Sequence, residues 1–111
     1  MNKSNVANMK IQKDTDFYCI KADQYMWAED KGDYTSPVYV AIDTKIKKKG
    51  GKPLNLIILE TSITDKLRIF ATEKEANEWI KKHPACFTIS CENERVVKIK
   101  YNFTDKEWEE M

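Results

Sequence analysis

The stretch IFATEKEANEWIKKHP constrains the fold more than any other part of the chain, because it marks both ends of one amphipathic helix. Thr72, followed three residues later by Glu75, forms a capping box, which predicts that the helix begins there. Apolar residues then recur at helical spacing, and Trp79 is expected to be largely buried against a sheet. Pro84 ends the pattern. The sequence therefore predicts a main helix over residues 72–83.

The chain before this helix is typical of β-strands. The run DFYCIKA, at residues 16–22, combines aromatic and β-branched side chains, which favours a first strand. A tight turn follows, in which Gly32 is expected to adopt a positive φ. Because proline cannot donate a hydrogen bond to a strand ladder, Pro37 is expected to delay the second strand until Val38. From there VYVAIDTKI alternates between apolar and polar faces.

The remaining segments complete a sheet around the helix. LNLIILETSI is apolar almost throughout, which predicts a central strand covered on both faces, and residues 67–71 are expected to form a short strand. CFTISC and RVVKIKYNF predict a closing hairpin with its turn at residues 92–94. TDKEWEEM repeats the capping pattern with Thr104 and Glu107, which predicts a short C-terminal helix.

These elements predict an α+β fold: a mostly antiparallel sheet, one main helix packed on it and a short helix at the C-terminus. A length of 111 residues suits one domain, and no linker divides the chain. We therefore expect a single domain over residues 15–111, preceded by a flexible N-terminal arm of polar residues at 1–14.

Charge and cysteine content limit the classes of function. The net charge is +1, so no global field recruits nucleic acid or acidic membranes. No apolar run approaches the roughly 20 residues of a membrane span, and the N-terminal residues lack the apolar segment of a secretory signal. Cys19, Cys86 and Cys91 are an odd number of cysteines, which favours reduced, buried thiols in a cytoplasmic protein. No membrane association is expected.

The chain carries no familiar catalytic or metal-binding motif. His83 is the only histidine, which excludes a site with two histidine ligands; it is interpreted as a helix-capping or core-edge residue. Cys86 and Cys91 together with His83 lack the spacing and the fourth ligand of a zinc site. Asp43 is interpreted as a strand-end partner of Lys45. We therefore expect no catalytic residue, no metal and no cofactor.

The first candidate binding surface is a lysine-rich hairpin tip at residues 45–52, which contains no acidic residue. Such a tip could contact phosphate groups of a nucleic acid. Alternatively, its lysines keep the turn solvated and protect a strand edge, and the chain has only Arg68 and Arg95 for bidentate base contacts. The candidate residues are Lys45, Lys47, Lys48, Lys49 and Lys52.

The second candidate binding surface is the acidic, aromatic tail DKEWEEM. Tryptophan is a frequent anchor of protein interfaces. Trp108, with Glu109 and Glu110 beside it, is therefore expected either to bind a partner or to pack on the protein's own core. The sequence leaves both interpretations open.

In the arrangement FYCIKA…WAEDKGDYTSPVYVA…IFATEKEANEWI…RVVKIKY, the chain resembles small accessory proteins that phages and mobile elements of low-GC bacteria encode, anti-CRISPR inhibitors of bacterial defence among them. The resemblance covers residues 17–101 and is best at residues 70–76 and 96–99. It implies a protein that binds a protein target or mimics a nucleic acid, without catalysis.

Three hypotheses follow. The leading one is a non-enzymatic binding protein, an inhibitor in the cytoplasm of a bacterial host, whose partner is a bacterial defence or host protein. The alternative is nucleic-acid binding through the lysine-rich tip. The third is an enzyme of unrecognised class, with Cys86 or Asp43 in a pocket. The oligomeric state and the identity of the partner stay open.

Overall fold

The computed structural model describes residues 16–43, 51, 56–84 and 90–111. Within them the chain forms β1 (Phe17–Ala28), β2 (Gly32–Asp43), β3 (Leu56–Glu60), α1 (Glu73–Lys82), β4 (Cys91–Asn102) and β5 (Glu107–Glu110). The strands form one antiparallel sheet in the order β3-β2-β1-β4-β5, and α1 packs against β1 and β4. The predicted α+β fold with one main helix is confirmed. The predicted N-terminal arm lies outside the described residues.

The helix α1 begins where its capping residues predict. The Thr72 hydroxyl oxygen accepts a hydrogen bond from the Glu75 amide at 3.2 Å and donates one to the Glu75 carboxylate at 3.1 Å. At the other end, the His83 amide donates to the Ile80 carbonyl at 3.3 Å. The His83 ring stacks on Trp79 with ring centroids 4.0 Å apart. The interpretation of His83 as a helix-capping, core-edge residue is therefore confirmed.

Both faces of the sheet carry apolar side chains, because successive residues of a strand point to opposite faces. The buried residues of the face under α1, here called the helix face, are Ile20, Ala22, Val38, Val40, Phe70, Ala76 and Cys91. Those of the other face, here called the opposite face, are Phe17, Cys19, Leu67, Ile69, Ile99 and Trp108. Trp79 packs against the margin of the helix-face cluster and is partly buried there, in agreement with its predicted position against the sheet.

The sheet contains a fork, because β1 and β2 pair with each other only as far as Lys21 and Tyr39. Beyond that point residues 66–70 fill the gap between the two strands. The backbone hydrogen bonds run from Ile42 to Lys66 (2.8 Å), from Arg68 to Val40 (3.0 Å), from Tyr18 to Phe70 (3.0 Å) and from Phe70 to Tyr18 (2.8 Å). The short strand predicted at residues 67–71 is present only as isolated bridges at Leu67 and Phe70.

The predicted C-terminal helix is wrong, since the segment forms β5 instead. The Asn102 side-chain oxygen accepts hydrogen bonds from the amides of Thr104 (2.9 Å) and Asp105 (3.0 Å), and Lys106 adopts φ +56°. These contacts make a turn that returns the chain along β4. Burial of Trp108 on the sheet then outweighs the local capping pattern, as tertiary packing often does for a weak helical propensity.

The predicted start of the second strand at Val38 is also wrong, because β2 runs from Gly32 through Pro37 without interruption. Pro37 faces Asp23 of β1. On its other edge, β2 pairs with β3 only from Tyr39 onward. The missing amide hydrogen of Pro37 therefore lies where no described strand requires it, which is a position that sheets tolerate for proline.

The apolar run LNLIILETSI does not form a central strand. Residues 56–60 of this run form β3, which lies at the edge of the sheet that the described residues form. Leu56 and Ile57 are exposed there, at 38% and 39% of their accessible surface. Apolar composition alone does not distinguish a central strand from an apolar edge strand, so the sequence placed this strand wrongly.

The turn predicted at residues 92–94 is absent, since β4 runs continuously from Cys91 to Asn102. The structure has a β-bulge instead. The pairing of β4 with β1 shifts register between Lys21 and Asp23, and Asn93 adopts φ +59°. A polar, left-handed Asn is compatible with either a turn or a bulge. The other strand of the predicted hairpin, CFTISC at residues 86–91, lies outside the described residues except for Ser90 and Cys91.

Candidate functional site

The most exposed aromatic side chains of the described chain lie at the end of the β1–β2 hairpin. Trp27 exposes 67% of its surface, Tyr25 exposes 51% and Met26 exposes 39%. Beyond the buried pair Ala22 and Val38, no residue of either strand is buried up to the turn. We call residues 25–35 the aromatic hairpin. It extends the sheet beyond the buried side chains of the described residues.

Continuous strand pairing holds the aromatic hairpin in place. Tyr25 pairs with Thr35, and Trp27 pairs with Asp33. The Lys31 amide donates to the Ala28 carbonyl at 3.2 Å and closes a β-turn. Gly32 adopts φ +70°, as predicted, a conformation that glycine reaches without steric cost. The exposed aromatic side chains are therefore presented by a regular ribbon with a defined turn.

The two faces of the aromatic hairpin differ. Tyr25 and Trp27 are two residues apart, so both lie on the continuation of the opposite face, and Asp33 lies across from Trp27 on that same face. On the other face, the Lys31 ammonium lies 5.2 Å from the ring centroid of Tyr34. One face is thus aromatic and acidic, while the aromatic ring of the other face already contacts a cation.

The base of the aromatic hairpin is joined to the start of β4. The Tyr25 amide donates to the Ser90 carbonyl at 2.8 Å. Interaction of its hydroxyl with the Glu92 carboxylate raises the pKa of Tyr25. The hydroxyl therefore stays protonated at neutral pH, with an exposed carboxylate beside it.

Next to this base, Asp23 forms a polar cluster with two residues of the β4 bulge. Asn93 donates to one Asp23 carboxylate oxygen at 3.0 Å, and Arg95 lies 3.4 Å from the other. The hydrogen bond from Asn93 and then the charge of Arg95 lower the pKa of Asp23. Since Arg95 also donates to the Asn93 carbonyl at 2.8 Å, its guanidinium is occupied within the fold.

The predicted candidate Glu110 has an internal role. The Lys21 ammonium and the Tyr39 hydroxyl donate to the same Glu110 oxygen at 2.8 Å and 2.7 Å. Burial would raise the pKa of Glu110, but these two hydrogen bonds outweigh it, and the pKa is lowered. The hydrogen bond with Glu110 also raises the pKa of Lys21. Glu110 therefore attaches β5 across the sheet to β1 and β2.

The other candidates of the C-terminal tail also stabilise the fold. Trp108 is 7% exposed, and its ring centroid lies 5.5 Å from that of Phe17 and 5.2 Å from that of Tyr101. The interpretation that Trp108 packs on the protein's own core is confirmed. Glu109 accepts a hydrogen bond from the side-chain amide nitrogen of Asn102 at 3.1 Å. The lysine candidates of residues 45–52 lie outside the described residues.

One group of side chains has the ligand atoms of a cation site. The carboxylates of Asp105, Glu107 and Glu109 lie within 4.8 Å of one another, and all three are exposed. Oxygen ligands of this type suit a divalent cation such as Ca²⁺. However, the side-chain amide of Asn102 already donates to the carboxylates of both Asp105 and Glu109. The turn between β4 and β5 therefore accounts for the closeness of the three carboxylates.

Asp43, the candidate catalytic residue that the structure describes, and the two described cysteines, Cys19 and Cys91, have structural contacts. Burial raises the pKa of Cys19 to about 12, which keeps its thiol protonated. Asp43 lies 3.6 Å from the Lys66 ammonium, whereas its predicted partner Lys45 is outside the described residues. Cys91 is buried in the helix-face cluster, and Cys86 is not described.

Two shallow clefts border the sheet. One, of about 200 Å³, is lined by Ile63, Thr64, Asp65, Tyr101, Lys106, Glu107 and Trp108. The other, of about 220 Å³, is lined by Arg68, Phe70, Glu75, Glu78, Trp79 and Lys82. Both are below the range of roughly 300–1,000 Å³ that is usual for small-molecule sites.

Comparison of the chain with protein-family models, with curated proteins and with solved structures finds no match. Among the residues that the structure describes, no helix is long and apolar enough to cross a membrane. The candidate site therefore depends on geometry alone.

The sequence patterns indicate the lysine-rich tip and the C-terminal tail as binding surfaces, but not Tyr25 and Trp27. The signal for these two is in the run QYMWA, where aromatic residues at alternate positions directly precede a turn. The pattern shows that they share a face of a strand. It does not show that the core ends before they are reached, because that depends on how far β4 and α1 extend.

Proposed function

We propose that this protein is a non-enzymatic binding protein that docks on another protein through its aromatic hairpin. The observation that carries the proposal is the exposure of Trp27, at 67%, beside Tyr25, at 51%. Tryptophan and tyrosine are the side chains most enriched among the residues that dominate binding energy at protein interfaces. A pair of them, exposed on one face of a ribbon, is suited to anchoring a partner.

The rigidity of the ribbon supports the same function. Strand pairing fixes the backbone on both sides of the turn, so little conformational freedom would be lost when a partner binds. Pre-organised aromatic side chains gain affinity for this reason, since association must otherwise overcome the entropy of ordering the interface. The aromatic hairpin has both the side chains and the fixed geometry.

The proposal that the protein is not an enzyme is supported by the use of its ionisable groups. Lys21, Asp23 and Glu110, whose pKa values are shifted, are in ion pairs that connect strands. Such pairs are typical of structural contacts, and neither of the two clefts lined by described residues contains Lys21, Asp23 or Glu110. The Cys19 thiol is buried and protonated.

The identity of the partner as a bacterial defence or host protein, and the protein's origin in a phage or mobile element, are proposals that depend on the sequence resemblance. They agree with a small domain whose exposed surface contains an aromatic anchor. The cytoplasm of the bacterial host is the compartment in which such an inhibitor would act.

The experiment is affinity capture of partners with the full-length protein from bacterial lysates, followed by calorimetry with the purified partner. Trp27→Ala should weaken the affinity about tenfold or more, as for an interface anchor. The matched control is Phe103→Ala, since Phe103 is also aromatic and 49% exposed but lies beside the β4–β5 turn. Unchanged affinity in Trp27→Ala, or no stoichiometric partner in any host, would contradict the proposal.

Nucleic-acid binding through the lysine-rich tip is the second proposal. It is supported by the five lysines at residues 45–52, with no acid among them. A gel shift at low salt should show binding that weakens steeply as salt is added. Simultaneous replacement of Lys47, Lys48 and Lys49 by Glu should abolish it, and binding that persists in this variant would exclude the tip.

A further inference from the structure

We propose that the partner presents a basic surface, and that one of its arginine or lysine side chains binds against Trp27 and Tyr25 of the aromatic hairpin. This inference depends on the proposed function and names the chemistry of the partner. The inference follows from two observations on the described residues: carboxylates lie beside the rings of Trp27 and Tyr25, and no cation lies over either ring.

The charges around the two rings are negative. Asp33 lies directly across from Trp27 in the strand pairing, and Glu92 lies across from Asp23, the residue that precedes Tyr25 on the same face. Both acids are exposed. Side chains directly opposite each other on antiparallel strands have Cβ atoms about 4.5–5.5 Å apart. A carboxylate therefore stands beside each ring.

The cations of this region are engaged elsewhere. Lys31 lies over Tyr34 on the other face of the hairpin, Arg95 is bound to Asp23, and Lys21 is bound to Glu110. Within the described part of the chain, no ammonium or guanidinium group lies over the ring of Tyr25 or Trp27. Among the described residues, the aromatic and acidic face thus has no cation of its own on either ring.

A guanidinium group fits this surface in two ways at once. Its flat face stacks on an aromatic ring, and its N–H groups donate to a neighbouring carboxylate. The ammonium group of lysine makes the same two contacts less directionally. Lys31 on Tyr34 is an example of the ring contact within this same hairpin, at 5.2 Å. The opposite face supplies the ring and, in addition, the carboxylate.

Other macromolecules are less suited to this face. Nucleic-acid bases stack on exposed aromatic rings, but Asp33 and Glu92 would repel the phosphates that accompany them. Glu29 and Asp30, exposed in the turn, add further negative charge at the tip. A basic protein surface is attracted by the same carboxylates and is the partner that the charges favour.

The first test uses a hexa-arginine peptide as the probe, with the full-length protein at low salt and the indole N–H signal of Trp27 followed by NMR. Loss of the signal in Trp27→Phe assigns it. The Trp27 signal should shift on titration, while those of Trp79 and Trp108 stay in place. A hexa-glutamate peptide and a thymidine oligonucleotide should leave it unchanged.

The second part of the test distinguishes an effect of the carboxylates beside the two rings from an effect of the protein's net charge. The double variant Asp33→Asn, Glu92→Gln should bind hexa-arginine at least about fivefold more weakly, as expected for loss of two charge-assisted contacts. The control Asp105→Asn, Glu107→Gln removes the same net charge from the β4–β5 hairpin and should weaken binding less than twofold. Equal weakening in both double variants, or a Trp27 shift with the oligonucleotide instead, would overturn the inference.

A captured partner distinguishes this inference from the proposed function. If Trp27→Ala loses the partner while Asp33→Asn, Glu92→Gln retains full affinity, the aromatic hairpin binds a protein but not through a cation. That result overturns the inference and leaves the proposed function intact. Loss of affinity in both variants, with weaker binding at higher salt, supports the inference and the proposed function alike.

Discussion

Two hairpins of this sheet carry a tryptophan close to a second aromatic residue, and they place it very differently. In the β4–β5 hairpin, Trp108 is 7% exposed and contacts Phe17 and Tyr101. In the aromatic hairpin, Trp27 is 67% exposed beside Tyr25. Both turns are closed by a residue with positive φ, Lys106 in one case and Gly32 in the other. The local structure of the two hairpins is thus similar. They differ in position, because the β4–β5 hairpin lies over buried residues and the aromatic hairpin extends beyond them.

The largest effect expected from this comparison is the destabilisation caused by Trp108→Ala. Removal of a buried tryptophan costs about 3–5 kcal/mol of unfolding free energy. This is a large part of the roughly 5–15 kcal/mol that a domain possesses. Urea unfolding followed by circular dichroism measures it. A loss below about 1 kcal/mol, the level of ordinary surface substitutions, would show that β5 is not part of the core.

The next effect is that of Trp79→Ala, which tests an intermediate degree of burial. Trp79 is half-buried, with its ring between Phe70 and His83. We expect a loss of about 2 kcal/mol, less than for a fully buried tryptophan, because part of the Trp79 side chain stays in contact with water after folding. The same urea titration applies. A loss equal to that of Trp108→Ala would mean that α1 encloses Trp79 more fully than the structure shows.

A smaller, pH-dependent effect is expected from Glu110→Gln. The folded-state pKa of Glu110 is lowered, so its contribution is present above its ordinary pKa of 4.5 and is lost as the pH falls through the folded value. Near pH 7 the substitution should cost about 0.5–1 kcal/mol, as for a partly exposed pair.

The measurement for Glu110→Gln is the melting temperature of both proteins at pH 7 and at successively lower pH. The two melting temperatures should differ at pH 7 and converge as the carboxylate is protonated. The matched control is Glu109→Gln, which changes the neighbouring acid but leaves the pair with Lys21. A difference that is constant with pH would show that the pair does not link β5 to the sheet.

The smallest effect on stability is expected from Trp27→Ala. Because the side chain is mostly in water, the free energy of unfolding should change by no more than about 0.5 kcal/mol. Urea unfolding under the conditions used for Trp108→Ala measures it. A loss of 2 kcal/mol or more, the range of buried side chains, would mean that the aromatic hairpin is packed in solution and that the contrast with the β4–β5 hairpin is incorrect.

The features of the fold that the sequence predicts are those with local causes. Thr72 and Glu75 cap the helix within one turn of chain, and Gly32 is the residue that its turn requires. The features it misses depend on distant neighbours. Trp108 forms a strand because Phe17 and Tyr101 are there to cover it.

The candidate site is missed for the same kind of reason. Tyr25 and Trp27 have the alternation of an ordinary strand, and their exposure results from where the core ends. Acidic and lysine-rich runs are visible in the sequence, whereas the end of a core is not. Glu110 illustrates the converse, since an acid of the tail proves to be an internal partner of Lys21.

Docking through the aromatic hairpin is tested most directly by site-specific photo-crosslinking in bacterial cells that express the protein. The photoreactive residue p-benzoylphenylalanine replaces Trp27 in one variant and Phe103 in another, since both positions are exposed. We predict that position 27 forms a discrete adduct with a single protein and that position 103 does not, because only position 27 lies on the aromatic hairpin. Adducts from position 103 alone, or none from position 27 in hosts where a partner is captured, would contradict it.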